Sequence, residues 1–217
     1  MSLSQQPDAQ ARDTEAPDTP APDRQAPAPQ APPDDYRLLV PRDWFRVDLT
    51  HERWRPQLKL YVDRHTAGKN PSAELRQAVW VSLRNTAEAG LADGALEFYL
   101  RSEVDPGSAE GQAGPPASLL VSLLHTPPGA CPDPADLAMT LAAREPRTED
   151  GGGREAYVVP LPAGEAVRAA SATALDYHVV MPGGVGYLML AFALPLSGTE
   201  GPLGGLCDAI AHSLRWV

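Results

Sequence analysis

Residues 155–194 read EAYVVPLPAGEAVRAASATALDYHVVMPGGVGYLMLAFAL, and this stretch decides the fold class. Four runs of aliphatic and aromatic residues, at 155–161, 165–172, 175–181 and 186–194, have the length and composition of strands. Pro162-Ala163-Gly164 and Pro182-Gly183-Gly184 supply turns between them, because proline presets a negative φ and glycine accepts a positive one. Strands clustered this closely and joined by tight turns form an antiparallel meander.

On its C-terminal side, Leu203, Leu206, Cys207, Ile210 and Leu214 recur at helical spacing, which predicts a terminal amphipathic helix. On its N-terminal side, Asp133-Pro134-Ala135-Asp136 is a helix start, with Leu137 and Leu141 anchoring a short helix to about Arg144. Ser118 to Leu124 is nearly continuously apolar, as a central strand covered on both faces would be. Leu96, Phe98 and Leu100 alternate with Glu97, Tyr99 and Arg101, which predicts a strand with one wet face. Residues 104–116 between these strands, rich in Gly, Pro and small side chains, read as a long exposed loop.

Further upstream the periodicity turns helical. Asn70-Pro71 reads as an N-cap followed by proline at the first helical position, opening a helix to about Ala92. Its expected apolar stripe is Leu75, Ala78, Val79, Ser82, Leu83, Thr86, Ala87 and Leu91. Trp54, Leu58, Tyr61, Val62 and His65 place a helix near 52–66, with Thr50 as candidate N-cap and Pro56 in its first turns. Tyr36 to Val40 and Trp44 to Leu49 read as short strands. The expected fold is α+β: a largely antiparallel sheet of about six to eight strands packed with helices, in a single domain over 36–217. No internal repeat is visible.

Residues 1–35 are different in kind. They hold eight prolines, seven acids and two arginines, so half of the net charge of −10 lies there. Leu3 is their only large apolar side chain, too little burial to offset ordering entropy, and the segment reads as a disordered acidic tail.

Composition then excludes several functions. The acidic balance argues against non-specific nucleic-acid binding and against a polybasic membrane anchor. No apolar run approaches the roughly 18 residues of a spanning helix, and the first residues lack a basic region and an apolar core, so neither a membrane span nor a secretory signal is expected. Cys131 and Cys207, 76 positions apart, make no disulfide framework or zinc site, which points to a reducing cytoplasm. Arginine outnumbers lysine sixteen to two, a bias that resembles GC-rich bacterial coding.

The five histidines form no HxxxH or HExxH pattern, and neither G-x-S-x-G nor a phosphate loop is present, so no catalytic, cofactor or metal residues are expected. His125, at a strand end, reads as a terminal histidine met by backbone or water. His178 and Asp176 share one strand face, a spacing at which a carboxylate can orient an imidazole, although alternation alone predicts a solvated polar face. Cys207 reads as core and Cys131 as a loop thiol with no neighbouring base. Gly151-Gly152-Gly153 reads as a loop tip.

Trp80 is the most informative side chain. Arg76 and Arg84 flank it at i−4 and i+4, on the border of the predicted apolar stripe. One reading is a boundary tryptophan with an arginine stacked over it; the other is a partner-binding patch of Arg76, Trp80 and Arg84, the residue types that dominate interface hot spots. Trp44, Trp54 and Trp216 sit in strand or stripe patterns and read as core anchors.

The opening phrase Leu39-Val40-Pro41-Arg42-Asp43-Trp44 and the closing Tyr187-Leu188-Met189-Leu190-Ala191-Phe192-Ala193-Leu194-Pro195, followed by an amphipathic helix, resemble the Mog1/PsbP-like fold group. That resemblance implies an antiparallel sheet with a packed terminal helix and a non-enzymatic accessory role. The chain also looks like uncharacterised proteins of GC-rich bacteria associated with type VII secretion clusters, which implies a role near a secretion apparatus. The expected function is a non-enzymatic protein-interaction or accessory domain. A small-molecule or lipid-binding module, with a cleft between layers, is the alternative, and an enzyme whose site is assembled from distant residues is a third reading.

Overall fold

The computed structural model describes residues 35–66, 72–101, 116–127, 129–145 and 153–217 of the chain. The predicted acidic tail up to residue 34, most of the 104–116 loop, the Asn70-Pro71 pair and Gly151-Gly152 lie outside the described residues. The fold is α+β. In chain order the elements are β1 (Tyr36–Arg37), β2 (Trp44–Asp48), α1 (Trp54–Thr66), α2 (Ala73–Ala92), β3 (Ala95–Arg101) and β4 (Ser118–His125). They continue with α3 (Pro134–Arg144), β5 (Glu155–Leu161), β6 (Gly164–Ala170), β7 (Ala174–Val180), β8 (Gly186–Ala193), α4 (Pro202–His212) and β9 (Arg215–Trp216).

Seven strands form one antiparallel sheet in the order β2-β3-β4-β8-β7-β6-β5, so the meander read from the sequence supplies four of its seven strands. Strand β8 then pairs with β4 over its full length, from Ser118↔Ala193 to His125↔Gly186. The close approach at that corner requires glycine: a Cβ on Gly186, at φ +139°, would stand 2.0 Å from the Leu124 carbonyl oxygen. Pro160 is tolerated because β5 is an edge strand.

The sheet buries both faces. On the first, Leu119, Val121, Leu175, Tyr177, Val179, Leu188, Leu190 and Phe192 pack with Leu203, Cys207, Ile210 and Ala211 of α4. On the second, α1 and α2 cover Val47, Phe98 and Leu100 at one end, and α3 covers Val167 and Ala169 at the other. Strand β4 is central, as its apolar run predicted, with Leu119 on the first core and Leu120 on the second. Helix α3 starts at Asp133, whose Oδ1 accepts from Ala135 N at 2.8 Å.

Several expectations are corrected. The first strand stops at Arg37, because residues 38–40 leave the ladder ahead of Pro41; Leu39 is 75% exposed. Its partner is β9, an unexpected strand: the last helix ends at His212, and Tyr36↔Trp216 pairing forms a separate two-stranded sheet. Asp35 joins it, exchanging backbone hydrogen bonds with Val217. Thr50 does not cap α1; its N–H and Oγ1 both donate to Asp48 Oδ1. Ser72 caps α2, accepting from Leu75 N at 3.1 Å. The buried face of α2 is also rotated from the predicted stripe: Leu75, Ala78, Ser82 and Thr86 are exposed, whereas Ala87 and Gly90 are buried. Gly90 sets that rotation, since a Cβ there would meet Leu120 Cδ2 at 2.8 Å. The predicted wet face of β3 is dry: Glu97 and Tyr99 are each 8% exposed. Trp44 and Trp54 are buried core residues, and Trp216 is half-buried, its Nε1 donating to Ala163 O at 2.7 Å.

Candidate functional site

The α1–α2 hairpin leaves an open groove of about 460 Å³, lined from α1 by Lys59, Val62 and Asp63 and from α2 by Arg76, Gln77 and Trp80. Trp80 is half-buried, with part of its ring on the core beneath the helices. Of the three residues singled out in the sequence, Arg76 and Trp80 meet in this groove, and Arg84 does not line it. Arg84 is turned towards Glu88, its Nε 3.9 Å from Glu88 Oε2, and Glu88 is in turn held by Arg55 at 2.9 Å. Neither arginine stacks on Trp80; among the described residues the arginines that lie over rings are Arg55 on Trp54, Arg64 on Phe45, and Arg168 on Tyr157 and Tyr177. Lys59 is neutralised by Asp63 at 2.8 Å, whereas Arg76 has no ion-pair partner among the described residues.

Two partly buried polar clusters fasten the fold. Glu97 Oε2 accepts from Tyr36 Oη at 2.8 Å and Tyr99 Oη at 3.0 Å, and Oε1 pairs with Arg46. Burial first, and then the Glu97 charge, raise both phenols well above the ordinary tyrosine range. Asp208 on α4 accepts from Tyr177 Oη at 2.5 Å and pairs with Arg168 Nε at 3.2 Å. Neither Glu97 nor Arg168 carried a sequence signal, because their partners lie on distant elements.

The third cluster sits on the second face between α2 and α3. His178 is 6% exposed and neither ring nitrogen has a hydrogen-bond partner. The solvated face predicted for His178 and Asp176 is therefore corrected: Asp176 is held by Arg154 at 2.5 Å, not by the imidazole. Burial, reinforced by the Arg154 charge, pushes His178 down to about 4, so the imidazole is neutral. Burial raises the Asp176 carboxyl, and Arg154 opposes that shift. Tyr187 packs edge-on to His178, with centroids 6.4 Å apart, and its hydroxyl donates to Pro132 O at 2.6 Å. Ser122, on the same face, is fully buried with its Oγ unpaired. His125 stands exposed at the end of β4.

Cys131 is a half-buried thiol before α3, and Cys207 is buried under the first face, where burial pushes its thiol up to about 12. Among the described residues no three His, Cys, Asp or Glu side chains come together as metal ligands, and no helix is long and apolar enough to cross a membrane. No known protein family, curated protein or solved structure matches the chain.

Proposed function

We propose that the chain is a non-enzymatic interaction or accessory domain that works in the cytoplasm and docks an acidic segment of a protein partner in the α1–α2 groove. The observation that carries this reading is Trp80: an aromatic side chain half-open to a groove, beside Arg76, which has no ion-pair partner among the described residues. The groove wall carries two cations, Lys59 and Arg76, against one carboxylate, in a chain of net charge −10, so the complementary segment is acidic and brings an apolar side chain to Trp80. The phrases at 39–44 and 187–195, similar to those of Mog1/PsbP-like proteins, support an accessory role. The likeness to proteins of type VII secretion clusters makes a secretion apparatus the proposed setting.

The test is affinity capture from native lysate with the full chain, Trp80→Ala and Arg76→Glu as baits, read by mass spectrometry. The expected result is a protein retained by the wild type in low salt and lost from both variants. Identical retention by all three baits overturns the groove as the docking site.

A further inference from the structure

We propose that the α1–α2 groove is occupied in cis by the chain's own N-terminal segment, with Pro17 and Pro20 against the Trp80 ring and the Asp23 carboxylate on Arg76, so that a partner binds by displacing it. This rests on the groove being a docking site for acidic segments. The groove is an open space of about 460 Å³. Lys59 and Asp63 in its lining pair with each other at 2.8 Å. Arg76 is exposed and has no ion-pair partner among the described residues, and Trp80 is half-buried. A segment that fits therefore brings one carboxylate for the guanidinium and an apolar surface for the indole.

Residues 1–34, outside the described residues, supply both. They carry six acids, two arginines and eight prolines, and Leu3 is their only large aliphatic side chain, so proline rings are the apolar surface they offer. Proline-rich segments dock in aromatic-lined grooves as polyproline II helices, in which residues three apart share a face. Pro17, Pro20 and Asp23 place two rings and a carboxylate on one such face. Pro29, Pro32 and Asp35 repeat the spacing, but Asp35 is held against Val217 by backbone hydrogen bonds. One polyproline turn advances about 9 Å, whereas Arg76 lies about 6 Å from Trp80 along α2, a difference that the long arginine side chain covers. Reach is sufficient. The segment joins the fold at Asp35, which shares a cleft with Asp48 and Thr50 just ahead of α1. Lys59 stands about 8 Å along the α1 axis from Trp54. The chain between Asp23 and Asp35 spans roughly 37 Å in polyproline II, enough for that route. Tethering presents the segment at an effective concentration in the millimolar range, so contacts too weak to hold a free peptide hold this one.

The test places a nitroxide at residue 19 (Thr19→Cys), off the docking face, in the full-length, nitrogen-15-labelled chain carrying Cys131→Ser; Cys207 is buried and stays unlabelled. Paramagnetic broadening is read by NMR at the Trp80 indole and at the Lys59 and Arg76 amides. The expected result is that these signals lose most of their intensity in low salt and recover it in high salt, while those of β5 and β6 keep theirs. Arg76→Glu is expected to abolish the broadening at Trp80 and Lys59, and Arg76→Glu combined with Asp23→Arg to restore it. Broadening confined to the residues around Asp35, or indifferent to Arg76→Glu, overturns the proposal. Broadening of an unlabelled-tail chain by added nitroxide-bearing chain, at the strength seen in cis, assigns the contact to a second copy and overturns it equally. The capture experiment reports separately on the partner: Trp80-dependent capture without broadening sinks the cis contact alone, and broadening without Trp80-dependent capture sinks the partner reading alone.

Discussion

His178 shows how one side chain couples burial to pH. Its unfolded pKa is near 6.5 and its folded value is about 4, so between these the unfolded chain binds more protons than the folded one. Stability is therefore complete above about pH 6.5 and falls as the pH drops towards 4, by on the order of 3 kcal/mol from this group. Asp176, whose carboxyl is raised, titrates in the opposite sense and blunts the slope. Urea unfolding of wild type and His178→Leu at pH 7, 6 and 5 isolates the histidine contribution: the variant is expected to lose the acid-side decline that the wild type shows. A second residue-scale prediction concerns Gly186. Alanine there would set a Cβ 2.0 Å from the Leu124 oxygen at φ +139°, so Gly186→Ala is expected to lower stability by about 3 kcal/mol or more in the same assay.

At the scale of elements, α2 carries the most instructive result. Its apolar residues recur with the right period, yet the period alone does not say which edge of the stripe meets the sheet. The answer lies in a small residue, Gly90, against which Leu120 packs. Ala87 is fully buried and Ala78 is exposed, so the two alanines of one predicted stripe behave differently. Ala87→Leu is expected to cost about 1–3 kcal/mol through overpacking, whereas Ala78→Leu stays within about 0.5 kcal/mol. Equal effects in thermal unfolding would mean that α2 sits in another rotation. Strand β3 teaches the same lesson: its alternation is real, but Tyr36 and Arg46 converge on Glu97 and take that side out of water. Helix α3 is the opposite case, since Asp133 and Pro134 define its start wherever it packs.

At the scale of the whole molecule, the segments at Asp35–Arg37 and Arg215–Val217 are tied together. Asp35 and Val217 exchange backbone hydrogen bonds, Tyr36 and Trp216 pair, and the Trp216 indole reaches Ala163 in the β5–β6 turn. This clip lies over the first-face core, where Tyr36, Leu38, Val40 and Trp216 are packed. Trp216→Ala is expected to cost about 2–3 kcal/mol and to speed amide exchange at Arg37 and Val217 selectively, while exchange in β4 and β8 follows only the global loss. Uniform acceleration through the sheet would show instead that the clip unfolds together with the core.

The sequence alone determined the class of the fold, the antiparallel meander, the central position of β4 and the start of α3. Those properties rest on local physics: period-two and period-3.6 patterning, turn residues and a capping carboxylate act within a few positions of themselves. The sequence also marked Trp80 and Arg76 as neighbours, because one helical turn brings them together. Only the tertiary structure decided that Arg84 turns away, that His178 is dry and unpaired, that Glu97 is enclosed by two phenols and a guanidinium, and that β1 finds its partner at the far end of the chain. Each of these depends on which residues distant in sequence share a surface, and that is set by the packing of whole elements against the sheet.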